Sequence, residues 1–326
     1  MTDRFSPRFD PLPEALANAP VPEAAQPVSA ANLAGPRSPW ADVWDQFTHH
    51  RGAMIALVVF VAIILFVLIG PRIWTVDPTY VDILGRNKGF TAKHPLGTDQ
   101  LGRDMLARLM VGGRVSLAVG ITAMAIAITF GAMVGVMAGF FRRLDGPLMR
   151  LTELFLALPL LPLLLLMVTL FREPLSRSFG PGLGVFLLIV TAIGLTSWMQ
   201  TARVVRGEVL AIKEREFVLA ARSIGTPSRR LILRHILPNV MSPIMVSATL
   251  GIASAIITES ALSFLGLGFP PDFPTWGRIL YDAVDQIQLY PWRVILPGIA
   301  ISLTVLSVNY IGDGLRDALD PRIRGR

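Results

Sequence analysis

Six long apolar stretches constrain this chain more than any other feature of its sequence. The hydrocarbon core of a bilayer is about 30 Å thick, so a helix needs roughly 17 to 25 apolar residues to cross it with its backbone polar groups satisfied internally. The stretches that meet this demand are Gly52–Pro71, Val115–Phe141, Leu154–Phe171, Leu183–Met199, Val240–Phe269 and Val294–Ile311. They predict an all-α, polytopic membrane protein with six transmembrane helices.

The composition also favours lipid as the main solvent. Of the 326 residues only 16% are charged, against about a quarter in soluble domains. The net charge of +7 comes from basic residues between the apolar stretches, which is typical of membrane orientation signals and not of a nucleic-acid surface. The chain has no Cys and only four scattered His residues, so we expect no disulfide, no metal site and no nucleic-acid partner.

The order of segments predicts a domain organisation. Residues 1–50 are expected to be a disordered tail with a short amphipathic helix at Trp40–Thr48, and residues 51–112 to hold the first transmembrane helix and an external segment. Residues 113–315 form the main transmembrane domain, and residues 316–326 a C-terminal tail. An even number of crossings puts both ends on one side. Because most Lys and Arg residues then fall on that side, the positive-inside rule predicts that both termini are cytoplasmic.

Glycine and proline residues mark expected features of the helices. Gly131, Gly135 and Gly139 are spaced four residues apart, which lets another helix approach closely. Prolines remove a backbone donor and kink a helix. Kinks are therefore expected at Pro159, Pro162 and Pro297.

The connector 203–239 is too polar to enter lipid and has strong helix signals. A helix through Glu214–Ile224 is predicted to end with Gly225 in a left-handed conformation. A second helix is predicted to start with Thr226 as N-cap and Pro227 in the first helical position. The result is a rigid knob at the inner membrane face, which suits transmission of force from a partner better than catalysis.

This connector carries a resemblance to a known family. Ala220 and Ala221, Gly225 four residues later, and the Ile-Leu-Pro sequence at 236–238 resemble the coupling loop of ABC importer permeases. The family pattern usually begins Glu-Ala-Ala, but Leu219 stands in the position of that Glu. The contact made by the family carboxylate is therefore not expected in this chain.

Other segments narrow the resemblance to the dipeptide, oligopeptide and nickel permeases, in the subunit usually encoded second of a pair. The segments that are similar to this group are 94–104 continuing to 113–117, 259–268 followed by 274–277, and 312–322. The resemblance runs from about Gly52 to Arg322. It implies a type I ABC importer permease fold.

The resemblance also implies partners and roles. These are a second homologous permease, two ABC ATPase subunits, an extracytoplasmic substrate-binding protein and the lipid of the inner membrane, with di- and oligopeptides as cargo and nickel, opines or glutathione-like peptides as alternatives. The residues expected to couple to the ATPase are Ala220, Ala221, Arg222, Gly225 and Thr226. The three lysines follow Asn, Ala and Ile, whereas a P-loop needs Gly before Lys. We therefore expect no cofactor on this chain and no enzyme activity, with ATP and Mg²⁺ bound by the partner ATPases.

Two further groups of residues have competing interpretations. Glu259 is the one formal charge within the six stretches, and it is either a pathway or gate position or a helix-packing group. The segment Asp99–Leu109 fits an amphipathic helix with i,i+4 ion pairs, and Asp99, Arg103 and Trp276 are candidates for docking the substrate-binding protein. Anchoring at the membrane interface explains the aromatic residue equally well.

Functions that need no ATP fit the sequence less well. A channel or secondary transporter usually carries several intramembrane ionisable residues or a filter loop, and one Glu in six stretches is a poor match. A membrane-embedded hydrolase needs paired polar groups such as Ser with Lys, or His-Glu-x-x-His, within its spans, and no stretch contains such a pair.

Overall fold

A computed structural model describes residues 39–319, and this part of the chain is almost entirely helical. Its α-helices are α1 (Pro39–His49), α2 (Arg51–Ile73), α3 (Met105–Phe140), α4 (Arg142–Ala157), α5 (Leu160–Phe179), α6 (Pro181–Ile212), α7 (Glu216–Ser223), α8 (Ser228–Leu231), α9 (Leu237–Phe264), α10 (Trp276–Val284) and α11 (Trp292–Leu319). A 3-10 turn lies at Ile83–Gly85, and a π-helical turn at Ile232–Ile236 joins α8 to α9. The described residues contain no β-strand beyond the isolated bridge between Thr98 and Asp104.

Five helical segments are long and apolar enough to cross a membrane: α2, α3, α6, α11 and the continuous run Ser228–Phe264. Each matches one of the predicted stretches, although Val240–Phe269 runs five residues beyond the end of its helix at Phe264. The remaining stretch, Leu154–Phe171, differs more. It lies across α4 and α5, which meet at an angle of 85°. Counted together as one broken span, these two helices give the sixth crossing, so the structure has five to six candidate spans where six were predicted.

The break has a local cause. A residue that precedes proline is pushed into an extended conformation by its steric clash with the proline ring. Leu158 has ψ 133°, and Pro159, which lacks an N–H donor, becomes the extended N-cap of α5. The predicted disruption at Pro159 is therefore confirmed. Pro297, in contrast, lies inside the continuous helix α11.

The glycine stripe of α3 packs against α6, as the spacing predicts. A Cβ atom added to Gly135 would lie 2.6 Å from the carbonyl oxygen of Ala202, and one added to Gly131 would lie 2.6 Å from that of Trp198. Gly139 faces Val209 in the same way. The two helix backbones thus lie so close together that a side chain at these positions would clash. Helices α3 and α6 form the centre of the bundle.

The amphipathic helix predicted near the N-terminus is confirmed, but it starts one residue earlier and ends one later, as α1. Val43 and Phe47 of α1 pack with Ala53 and Ala318. Residues 39–49 are therefore helical and not part of a disordered tail, whereas residues 1–38 and 320–326 lie outside the described residues.

Candidate coupling and transport sites

Helices α7 and α8 form a projection that we call the knob, residues 216–231. One side of the knob is anchored: Val218, Ala221 and Leu231 are buried in a cluster against Phe140 at the end of α3 and Ile212 at the end of α6. Close to this cluster, Lys213 Nζ donates a hydrogen bond of 3.1 Å to the carbonyl oxygen of Gly139. The knob is thus attached to the ends of the two central helices.

The turn within the knob has the geometry that its sequence predicts. Gly225 has φ +81°, the left-handed region that favours glycine. The Thr226 N–H donates to Ala221 O at 3.2 Å and the Gly225 N–H donates to Arg222 O at 3.0 Å, which is the Schellman pattern of a helix C-terminus. The start of α8 differs by one residue: Pro227, with ψ 147°, is the N-cap, so the prediction of Thr226 as N-cap is wrong.

The opposite side of the knob is exposed and carries large apolar side chains among charged ones. Phe217, Leu219 and Ile224 have exposed fractions of 46%, 43% and 83%. Of the five residues predicted to couple, Ala220, Arg222 and Gly225 are exposed, Thr226 is half-buried and Ala221 is buried. Ala221 therefore anchors the knob, while Leu219 adds apolar surface in the position where the family pattern has a carboxylate.

The knob continues into α9 through the π-helical turn, a feature that is frequent at functional sites. Ile236, at the end of this turn, is fully buried and packs with Val205, Val209 and Val240. Ile236 therefore packs the end of the knob segment against α6 and α9.

Glu259 of α9 is fully buried. Ser116 Oγ on α3 donates to its Oε2 at 3.0 Å, and Ser263 Oγ donates to its Oε1 at 2.7 Å. Ser116 Oγ in turn accepts the backbone N–H of Trp276, the first residue of α10, at 3.2 Å. Within residues 39–319 no basic side chain pairs with this carboxyl group. Glu259 thus links α3, α9 and α10 inside the chain, which favours the packing interpretation over a pathway or gate position.

The segment before α3 does not form the predicted amphipathic helix over Asp99–Leu109. The helix begins only at Met105, with Asp104 as its N-cap, because Gly102 at φ +78° interrupts any earlier helix. Arg108 pairs with Asp99 at 3.0 Å and with Asp282 of α10 at 2.9 Å, and not with Asp104 as the i,i+4 spacing predicts. Asp104 instead pairs with His94 at 2.8 Å.

The three docking candidates are all buried in this chain. Asp99 and Arg103 pair with each other at 2.6 Å, and Arg103 also reaches Asp282 at 3.2 Å. Trp276 is fully buried, and its Nε1 donates to Leu109 O at 2.9 Å. An exposed docking role for these side chains, and an interfacial role for Trp276, are therefore contradicted by their burial. They fasten the α2–α3 segment to α10.

Sequence reasoning missed two features that depend on distant residues. Arg293 of α11 is buried and donates to Asn87 Oδ1 and Gln286 Oε1, both at 2.9 Å. A cavity of about 660 Å³ opens between α4 and α6 and is lined by Met149, Thr152, Glu153, Leu156, Gln200, Arg203, Val204 and Arg206. No local sequence pattern signals this cavity, because its two walls come from helices that are distant in the sequence.

A bundle of apolar helices with a stiff projecting knob defines a class, that of multi-pass membrane transport permeases. The chain belongs to the family of binding-protein-dependent transport system inner membrane components, whose model matches residues 116–325. A second model, the N-terminal TM domain of oligopeptide transport permease C, matches residues 38–90. The family resemblance seen in the sequence is confirmed.

Named relatives cover nearly the whole chain. The oligopeptide transport system permease protein OppC of Bacillus subtilis is 38% identical over 287 residues, which is 87% of this chain and 90% of that protein. The di/tripeptide transport system permease protein DppC of Pseudomonas aeruginosa is 40% identical over 305 residues, covering 91% and 97%. The inward-facing MetNI methionine ABC transporter aligns with TM-score 0.53 at 18% identity, over 66% of this chain and 98% of the matched chain, which confirms an ABC importer permease fold.

Proposed function

We propose that this chain is one permease subunit of an ATP-driven importer of di- and oligopeptides. The observation that carries the proposal is the 37–40% identity, over most of the chain, to permeases named for dipeptide, di/tripeptide and oligopeptide transport. The expected partners are a second homologous permease, two ABC ATPase subunits and an extracytoplasmic substrate-binding protein. The chain itself performs no hydrolysis, and ATP and Mg²⁺ are bound by the ATPase subunits.

In this proposal the exposed side of the knob docks in the ATPase. Closure of the ATPase dimer moves the knob, and the buried contacts of Val218, Leu231 and Ile236 pass that motion to α3, α6 and α9. The bundle thereby alternates between two packed arrangements, as in other switches driven through rigid contacts. The exposed Phe217, Leu219 and Ile224 supply apolar contact area to the ATPase in place of the family carboxylate.

The proposal places both termini and the knob on the cytoplasmic side of the inner membrane. The basic residues of 142–150, 203–234 and the region after Arg316 support this orientation. The apolar surface of the bundle, including the exposed Leu166 and Leu170 of α5, is then covered by lipid or by the second permease.

Reconstitution tests the proposal. The chain is co-expressed with the permease, ATPase and binding-protein genes found beside its own, and the purified complex is placed in liposomes that contain ATP. Uptake of a labelled tripeptide is expected only when the binding protein is outside, ATP is inside and this chain is present. Uptake of nickel in place of peptide would contradict the proposed cargo. Solute movement by this chain alone would contradict the ATP-driven mechanism.

A further inference from the structure

The cavity between α4 and α6 has the size of a small-molecule site. Its volume is about 660 Å³, and ligand cavities generally measure about 300 to 1,000 Å³. One wall is formed by Met149, Thr152, Glu153 and Leu156 of α4, and the other by Gln200, Arg203, Val204 and Arg206 of α6. Three of the eight lining residues are apolar and five are polar or charged, so a ligand of this cavity is expected to carry polar or charged groups.

The α6 wall has polar groups on an otherwise apolar spanning helix. Gln200, Arg203 and Gly207 follow the i, i+3, i+7 spacing of one helix face, and all three are exposed. Arg203 is the first residue of the connector 203–239, which is too polar to enter lipid. The cavity therefore lies at the end of α6 that leaves the membrane, and it belongs to the aqueous side of the protein.

Some of the charged side chains in the cavity have an ion-pair partner and others do not. Arg206 Nη2 donates to Asp145 Oδ2 at 2.8 Å, which ties α6 to the first turn of α4 and neutralises that arginine. Thr152 Oγ1 donates a hydrogen bond of 2.8 Å to the carbonyl oxygen of Leu148. Arg203 and Glu153, in contrast, form no ion pair within the described ranges. Among the described residues, the cavity thus has one guanidinium group without an ion-pair partner on the α6 wall, Arg203, and one such carboxylate on the α4 wall, Glu153.

We propose that this cavity is the inner part of the translocation pathway and binds the charged ends of the transported peptide. Arg203 binds the terminal carboxylate, because a guanidinium group matches a carboxylate with paired hydrogen bonds. Glu153 receives the terminal ammonium group. The apolar side chains of Met149, Leu156 and Val204 contact the peptide without selecting its sequence. The inference rests on the proposed peptide import and names the site where this subunit contacts the cargo.

Access to the cavity can be measured because the chain contains no cysteine. Gln200→Cys is introduced into the chain of the reconstituted complex and treated with a charged, membrane-impermeant maleimide, and modification of this subunit is read by mass spectrometry. Modification is expected from the cytoplasmic side without ATP, with protection by saturating tripeptide. The matched control is Ala202→Cys, two residues away and fully buried, which is expected to stay unmodified.

Recognition of the carboxylate is tested by a substitution and a substrate change together. Arg203→Gln is expected to lower uptake of a tripeptide with a free C-terminus by about tenfold, the effect of losing one charge-assisted hydrogen bond. The same variant should leave uptake of the C-terminally amidated tripeptide unchanged, and Arg203→Lys should restore most of the loss. Stimulation of the ATPase by the binding protein reports that each variant complex is assembled.

The outcomes separate this inference from the proposed function. If the unmodified complex imports peptide but Arg203→Gln slows both tripeptides equally, Arg203 does not recognise the terminal carboxylate and the inference is overturned. Absence of modification at Gln200→Cys overturns it as well. If the unmodified complex imports no peptide at all, the proposed function fails before the cavity is tested.

Discussion

Gly225 shows how far single residues can be predicted from sequence. Its left-handed conformation depends only on neighbouring backbone groups, so the helix-ending pattern around it was sufficient to predict the turn. The pair between Asp99 and Arg103 follows the predicted i,i+4 spacing, but the partners of Arg108 were not predictable in this way. Asp282 lies more than 170 positions from Arg103 and Arg108, with which it pairs. The nearby Asp104, which the i,i+4 rule favours for Arg108, is instead the N-cap of α3 and a partner of His94.

Gly225 also gives the sharpest prediction at this scale. Nothing lies within 4 Å of a Cβ atom added there, so only the positive φ opposes a side chain. A β-branched residue in this conformation costs of order 1–3 kcal/mol, and Gly225→Val is expected to distort the knob and abolish most ATP-driven uptake. Gly225→Asn is the matched control, since Asn tolerates the left-handed region, and it should retain transport. Equal loss in both variants would contradict a conformational role for Gly225.

Glu259 supports a second prediction. Replacing it with Ala leaves the hydroxyl groups of Ser116 and Ser263 without their buried acceptor, a loss of about 1–3 kcal/mol for each unsatisfied group. Glu259→Ala is therefore expected to lower the Tm of the purified complex, whereas Glu259→Gln, which keeps an acceptor oxygen, should change the Tm much less. Normal stability with a changed peptide preference in Glu259→Gln would indicate instead that this carboxyl group meets the cargo.

At the scale of elements, most helices could be predicted from runs of apolar residues and from glycine spacing. The break between α4 and α5 could be predicted from proline. The stretches that became α2, α3, α6, α9 and α11 were recognisable because each is apolar over a length that spans a bilayer. The bend of 85° between α4 and α5 was not, because a proline signals only a lost hydrogen bond and the angle is set by packing. The cavity behind the bend was unpredictable for the same reason.

The α3–α6 interface provides a test at this scale. A Cβ atom at Gly135 would lie 2.6 Å from the backbone carbonyl oxygen of Ala202, which cannot rotate away. Gly135→Ala is expected to push the helices apart and destabilise the subunit by about 1–3 kcal/mol, the usual cost of overpacking. Gly146→Ala on α4 is the control, since no atom lies within 4 Å of its added Cβ. Equal Tm values for the two variants would contradict the close helix approach.

For the whole molecule, the distribution of polarity explains why the fold needs both lipid and partners. Buried ion pairs fasten the α2–α3 segment to α10, while large apolar side chains such as Leu170 and Ile299 are exposed on the bundle. The number and order of the membrane segments could be predicted from the sequence, since they depend on hydropathy alone. It did not reveal which polar residues were buried, since burial depends on contacts between distant segments.

The central claim is that the knob is the point where a separate ATPase drives this subunit. A photo-reactive amino acid placed at Leu219 in the assembled complex tests it most directly, with Leu84 as control because it is 94% exposed in the α2–α3 segment, on the side of the membrane predicted to face outward. Irradiation is expected to cross-link Leu219 to an ATPase subunit and Leu84 to none. Cross-links from Leu84 to the ATPase, or an assembled complex in which Leu219 captures no ATPase, would contradict the account.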